Sequence, residues 1–162
     1  MVRLFSAITL CITASVAALL AGQDAASPAA RQSVAPLLSR MPGELPAKVI
    51  DRLKVPITAR FTLPLERAFQ EIFELVEVKC FVDGIALKSS GITKNEVQKL
   101  NLEEKPVYEV IQAILDRPDR KQTYPDVVLV IDEEKKLVTV TTKADAEARK
   151  LAPVDFEQFQ TK

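Results

Sequence analysis

Acidic side chains come close enough in this 162-residue sequence to share a proton or a cation at three places: Glu103-Glu104, Asp116 with Asp119, and Asp132-Glu133-Glu134. Paired carboxylates of this kind can act as general acid and base or bind a hard cation. Each run has Lys or Arg beside it and falls where a turn is expected, which is the pattern of a solvated, charge-balanced loop. A calcium loop needs alternating Asp or Asn with a Gly, and Asp132 to Glu134 lacks it. His is absent from the sequence, and with it the commonest general base and metal ligand. Ser89-Ser90-Gly91 has no strand-to-helix elbow around it that would expose a nucleophile. Cys80, within Val78-Lys79-Cys80-Phe81-Val82, reads as a small buried core residue rather than a reactive thiol. These residues predict no catalytic site, no metal site and no cofactor, so the chain is expected not to be an enzyme.

Charge narrows the partners. Lys plus Arg and Asp plus Glu each number 22, and binding by phosphate neutralisation requires a basic face. No Gly-x-x-Gly clamp is present either, so no nucleic acid is expected. Lys94, Lys99, Lys105, Lys135 and Lys136 read as solvated positions on strands and turns.

The start of the chain carries an export signal. Met1-Val2-Arg3 is followed by the uncharged, apolar stretch Leu4 to Gly22, the layout of a secretory leader. Small residues place cleavage between Ala21 and Ser27. The rival reading is a retained anchor, in which case the signal segment is the chain's only membrane contact. Loss of residues 1–22 leaves Cys80 as the single cysteine, so no internal disulfide can staple the exported chain. Residues 23–47 are rich in Ala, Ser and Pro and are expected to form a disordered tether. Continuous apolar periodicity over residues 48–142 gives one small domain, and 143–162 is expected to be a polar C-terminal helix and tail.

Inside the domain a strand, a proline and an amphipathic helix are written twice. Ile57, Ala59 and Phe61 alternate with Thr58, Arg60 and Thr62, the period of a strand with one buried face. Pro64 then suits a helix start, and Leu65, Ala68, Phe69, Ile72, Phe73 and Val76 share one helical face. Val78 to Val82 is expected as a strand closed by Asp83-Gly84, with a short helical turn over Ile85 to Ser90 stopped by Gly91. The second copy runs from Leu100 and Leu102 through Pro106-Val107 to Val110-Ile111 and Ile114-Leu115. Val127 to Ile131, apolar on both faces, is expected in the middle of the sheet, and Leu137 to Thr142 returns as its hairpin partner. The expected fold is α+β: a two-layer sandwich with pseudo-repeated βαβ–βαββ order and two helices packed on one face of a small sheet.

Val55 to Thr142 resembles the short N-terminal domain of bacterial secretins and TonB-dependent receptors, above all its secreted stand-alone form in planctomycete-type bacteria. The likeness rests on Ile57-Thr58-Ala59-Arg60-Phe61 leading to Pro64-Leu65-Glu66-Arg67-Ala68-Phe69, and on Val78-Lys79-Cys80-Phe81-Val82-Asp83. It continues through Leu100-Asn101-Leu102, Pro106-Val107-Tyr108-Glu109-Val110-Ile111, Val128-Leu129-Val130-Ile131 and Val138-Thr139-Val140-Thr141-Thr142. Such families usually place a Gly between the first helix and second strand, where this chain has Glu77, and a compact Gly-Leu turn where it has Arg117 to Pro125. The resemblance implies a non-catalytic docking module of the periplasm or cell exterior that meets an envelope protein, as a subunit or regulator of a secretion or receptor assembly.

The expected contact is an open sheet edge or the polar strand face bearing Lys99 and Asn101, because main-chain donors at an edge pair readily with an extended segment. Lysines there serve equally well as edge protection. A cell-wall or small-ligand binding domain is the alternative; it predicts an exposed aromatic platform, for which the sequence offers no Trp and only Tyr108 and Tyr124 as Tyr. An enzyme is more distant still.

Overall fold

The computed structural model describes residues 36–116 and 126–160, all within one compact unit. The expected export signal, most of the expected tether and the run Arg117 to Pro125 lie outside the described residues. Among the described residues no helix is long and apolar enough to cross a membrane.

Alternation builds the first long strand as expected. In β2 (Pro56–Pro64), Ile57, Ala59 and Phe61 are buried while Arg60 and Thr62 are exposed. The chain passes directly into α2 (Leu65–Leu75), whose Leu65, Ala68, Phe69, Ile72 and Phe73 face inward with no exposed area. Burial of each of these large side chains is worth about 1.5–3 kcal/mol. The second copy gives β4 (Val97–Pro106) and α4 (Val107–Leu115), with Val107, Val110, Ile111, Ile114 and Leu115 buried. Pro64 (φ −57°, ψ 148°) and Pro106 (φ −54°, ψ 145°) occupy the N-cap position with almost the same backbone.

A proline N-cap brings no side-chain acceptor, so the first amides of each helix need another partner. They find it in the entry to the opposite strand. Leu65 and Glu66 donate their N–H groups to the Glu96 and Lys94 carbonyls at 2.8 and 3.0 Å, just before β4. Val107 and Tyr108 donate to the Val55 and Leu53 carbonyls at 3.1 and 2.9 Å, just before β2. Each strand entry therefore closes the other strand's helix.

The strands divide into two three-stranded sheets rather than the single small sheet expected. The first runs β1-β2-β4, where β1 is Leu37–Arg40, and is antiparallel throughout. The second runs β3-β6-β5, with β3 (Lys79–Val82) parallel to β6 (Leu137–Thr142) and β5 (Val127–Asp132) antiparallel to it. One core unites them: Ile57 and Phe61 from the first sheet, Val82, Leu129, Val138 and Val140 from the second, and the buried faces of α2 and α4 belong to the same apolar cluster.

Three other segments depart from the expected outline. The presumed tether enters the fold before its end: Leu38 pairs with Ala59 and packs on the core, and Leu45 does so a few residues later. Leu37, Leu38, Met41 and Leu45 are too scattered among polar residues, Pro and Gly to show periodicity, yet Leu38 and Leu45 suffice to dock the segment on the core. A short helix, α1 (Val49–Arg52), follows, with Val49 and Leu53 fully buried.

β5 lies at a sheet edge instead of the middle. Its outer margin is lined by the C-terminal segment: Val130 bridges to Pro153, and the Val154 N–H donates to the Leu129 carbonyl at 2.7 Å. The C-terminal residues are accordingly no free tail. After α5 (Lys143–Ala148), Val154, Phe156 and Phe159 pack against the core, and the Phe159 ring, in α6 (Glu157–Gln160), stacks on Tyr108 with centroids 4.9 Å apart.

One inward position on β4 is polar. Gln98 has no exposed area, and its Nε2 donates to the Glu96 carbonyl at 3.2 Å while its Oε1 has no hydrogen-bond partner.

Candidate interaction surface

β4 forms one margin of the first sheet, and no further strand lies beside it among the described residues. Lys99 stands opposite Thr62 and Asn101 opposite Arg60, so both project on the exposed face of the sheet. The structure thus brings Lys99 and Asn101 onto one strand face. Arg60 on the same face is ion-paired with Glu103. The register breaks between Ile57 and Ala59, where Glu104 adopts φ 50° and donates its N–H to Thr58 Oγ1 at 3.3 Å. This bulge turns the far end of β4 and confines the regular polar face to the Val97–Leu102 half.

The acidic runs are put to structural use. Asp132 pairs with Lys135 at 2.7 Å, and that ammonium holds the carboxyl below its ordinary range. Glu133, expected to be merely solvated, reaches across to α1 and accepts the Val49 and Ile50 N–H groups at 2.8 and 3.0 Å. Partners 84 and 83 residues away carry no local sequence signal. Asp116 is exposed at the end of α4, and Asp119 lies outside the described residues. Tyr108 is committed to its stack with Phe159, and Tyr124 lies outside the described residues.

A second surface, which the pattern reading did not single out, lies around β3 and α3 (Gly84–Ser89). Asp83 was legible only as a turn residue. In the structure it is the N-cap of α3, accepting from the Ile85 and Ala86 N–H groups at 3.2 and 3.0 Å. Its other oxygen takes the Arg149 guanidinium at 2.8 Å, which ties α5 to β3. The Ala86 amide first, and then Arg149, hold the carboxyl below its ordinary range against the opposing effect of burial.

This arrangement leaves Phe81 53% and Ile85 87% exposed, beside an open groove of about 480 Å³ lined also by Val82, Lys88, Ile92 and Lys94. Lys94 pairs with Glu66 at 3.0 Å, and the methylene stem of Lys94 lies against Gly84, where a Cβ would stand 3.2 Å from Lys94 Cδ. A signal for this surface existed in Phe81 and Ile85. They fall out of phase with the buried Val82 and the α3 face, so neither can turn inward. Cys80, next to Phe81 on β3, is a half-buried free thiol whose pKa is pushed up to about 12, chiefly by burial and further by the Glu66 carboxylate.

Among the described residues no group of three or more His, Cys, Asp or Glu side chains could hold a metal ion. No family model, no curated protein and no solved structure matches the chain.

Proposed function

We propose that the chain is an exported, non-catalytic docking module of the bacterial cell envelope, acting as a subunit or regulator of a secretion or receptor assembly. The observation that carries this reading is that each sheet ends on a strand, β4 in one and β3 in the other, with no further strand beside it among the described residues. Such margins present main-chain donors and acceptors to an extended partner. The resemblance of Val55 to Thr142 to the short N-terminal domain of secretins and TonB-dependent receptors supports the same role, as does the leader-like start of the sequence. The partner is an envelope protein, and neither nucleic acid nor a cofactor is part of the reading.

The test is chemical cross-linking of the full chain in its native envelope, followed by identification of the adduct. A specific adduct with an envelope protein is expected, and double alanine substitution of Lys99 and Asn101 reports whether the β4 face takes part. Absence of any adduct above that of an unrelated exported control would sink the reading.

A further inference from the structure

Resting on that docking role, we propose that the groove beside β3 is a binding site for an extended peptide segment carrying an apolar side chain flanked by carboxylates. The partner strand adds to the open side of β3.

The edge itself is available. Lys79 and Asp83 donate their N–H groups to the Lys136 and Val140 carbonyls of the β6 side, both at 2.9 Å. In a parallel ladder alternate residues address alternate neighbours, so Cys80 and Val82 direct their N–H and C=O groups away from β6. No strand occupies that side among the described residues. A segment laid there gains main-chain hydrogen bonds irrespective of sequence, which is how strand addition supplies affinity.

Specificity comes from what surrounds the edge. Phe81 and Ile85 are the two most exposed apolar side chains next to the groove, at 53% and 87%. Isolated exposed apolar residues are ordinary, but two that flank a hollow mark a place where another apolar group can be covered. The volume of about 480 Å³ falls in the range of roughly 300–1,000 Å³ typical of ligand pockets.

Charge then selects the partner. The two acids of the groove are already neutralised, Glu66 by Lys94 at 3.0 Å and Asp83 by Arg149 at 2.8 Å. Lys88 on the groove and Lys79 on β3, exposed like Phe81 on the same strand face, make no ion pair among the described residues. An incoming strand with acidic residues next to its apolar anchor satisfies both lysines. A basic strand finds both acids of the groove already paired and meets the two unpaired lysines as like charge.

The experiment uses the purified full chain and two fluorescein-labelled hexapeptides, one of alternating Asp and Leu and one of alternating Lys and Leu, read by fluorescence anisotropy. Saturable binding of the acidic peptide is expected, with the basic peptide at least about tenfold weaker. N-methylation of the acidic peptide's amides is expected to weaken binding about tenfold, as are Ile85→Asp and Lys88→Glu, while Lys54→Glu, at an exposed position that does not line the groove, changes it less than about twofold. Ile85 and Lys88 are exposed, so circular dichroism should show both variants folded. The proposal is overturned if the acidic peptide fails to saturate by about 1 mM, if both peptides bind alike, or if Ile85→Asp binds like the wild type. Cross-linking in the native envelope separates the two readings. An adduct that survives Ile85→Asp removes the groove but keeps the docking role, and a wild-type chain without an adduct removes the docking role.

Discussion

The Arg52 guanidinium donates to the Val76 carbonyl oxygen at 2.9 Å, and through the same nitrogen to the Glu77 carbonyl at 3.0 Å. Its Nε donates to the Pro46 carbonyl at 2.7 Å, and the side chain is only 5% exposed. No carboxylate is needed, because the negative end of the α2 dipole and three carbonyl oxygens receive the charge. Arg52→Met should lower unfolding free energy by about 3 kcal/mol, since the carbonyls it serves lose charged donors in a buried place. Arg52→Lys should recover less than half of that, because one ammonium cannot span the positions a planar fork reaches. Urea unfolding checks both, and a Lys variant as stable as wild type would show that the fork is unimportant.

Beyond Val76 the chain turns through Glu77 at φ 55°. Val78 donates to the Phe73 carbonyl at 3.0 Å and Glu77 to that of Glu74 at 3.0 Å, the pair of bonds that closes a helix through one left-handed residue. The same pair ends α3, where Ile92 donates to Leu87 and Gly91 to Lys88, but there the left-handed position is Gly91 at φ 76°. A left-handed L-residue costs about 1–2 kcal/mol, partly offset by the greater flexibility of glycine in the unfolded chain. Glu77→Gly should therefore stabilise by about 0.5–1 kcal/mol, whereas Gly91→Ala should destabilise by about 1 kcal/mol. Thermal unfolding of the two variants should move in opposite directions; movement in the same direction would refute the comparison.

Asp83 makes stability depend on acid. Its carboxyl titrates below the ordinary 3.8, so the unfolded chain binds the proton more tightly than the folded one. The contribution is whole above about pH 5 and is lost as the pH falls through 3.8 and on through the lower folded value. Asn keeps the capping acceptor but loses the charge that faces Arg149. Asp83→Asn should cost about 1 kcal/mol at pH 7, a modest figure because Arg149 is half exposed. It should also lose stability less steeply than the wild type between about pH 5 and pH 3. Parallel slopes in that window would show the pairing to be unimportant.

Much of the fold could be read directly: the alternation of Ile57, Ala59 and Phe61, the helical face of Leu65 to Phe73, and the stop at Gly91 all reflect period and turn chemistry acting locally. What escaped was held by contacts distant in sequence. Glu133 capping α1, Arg52 closing α2, and the amides of Leu65 and Val107 closed by the opposite strand entry have no local pattern. Sheet assignment escaped for the same reason, since β3 and β6 pair in parallel across most of the domain. For the candidate surfaces, the polar phase of Lys99 and Asn101 was visible. The groove at Phe81 and Ile85 depended on where α3 places its exposed side.

Cys80 should be a poor nucleophile despite its partial exposure. An ordinary thiol titrates near 8.5, and with its pKa pushed up to about 12 the thiolate at pH 8 is scarcer by about three orders of magnitude. Iodoacetamide should label the native chain on the order of a thousandfold more slowly than the urea-unfolded chain. Mass spectrometry over time gives both rates. Native labelling within about tenfold of the unfolded rate would mean that burial and Glu66 do not govern the thiol.

Gln98 shows how position overrode residue type on β4. Gln98, Leu100 and Leu102 share one phase, so the amide is carried inward with no exposed area, while the apolar Val97 beside it is 49% exposed. Its Nε2 serves the Glu96 carbonyl, which already accepts from Leu65, and its Oε1 has no partner. A buried acceptor without a donor costs about 1–3 kcal/mol. Gln98→Leu removes that cost at similar volume and gives up a redundant bond, so unfolding free energy should rise by about 1 kcal/mol. Gln98→Glu, which buries a charge at the same place, should lower it by more than about 2 kcal/mol at pH 7. A Leu variant that unfolds at lower temperature than wild type would show that Oε1 is hydrated in solution, and that the bond to Glu96 is worth more than its shared acceptor implies.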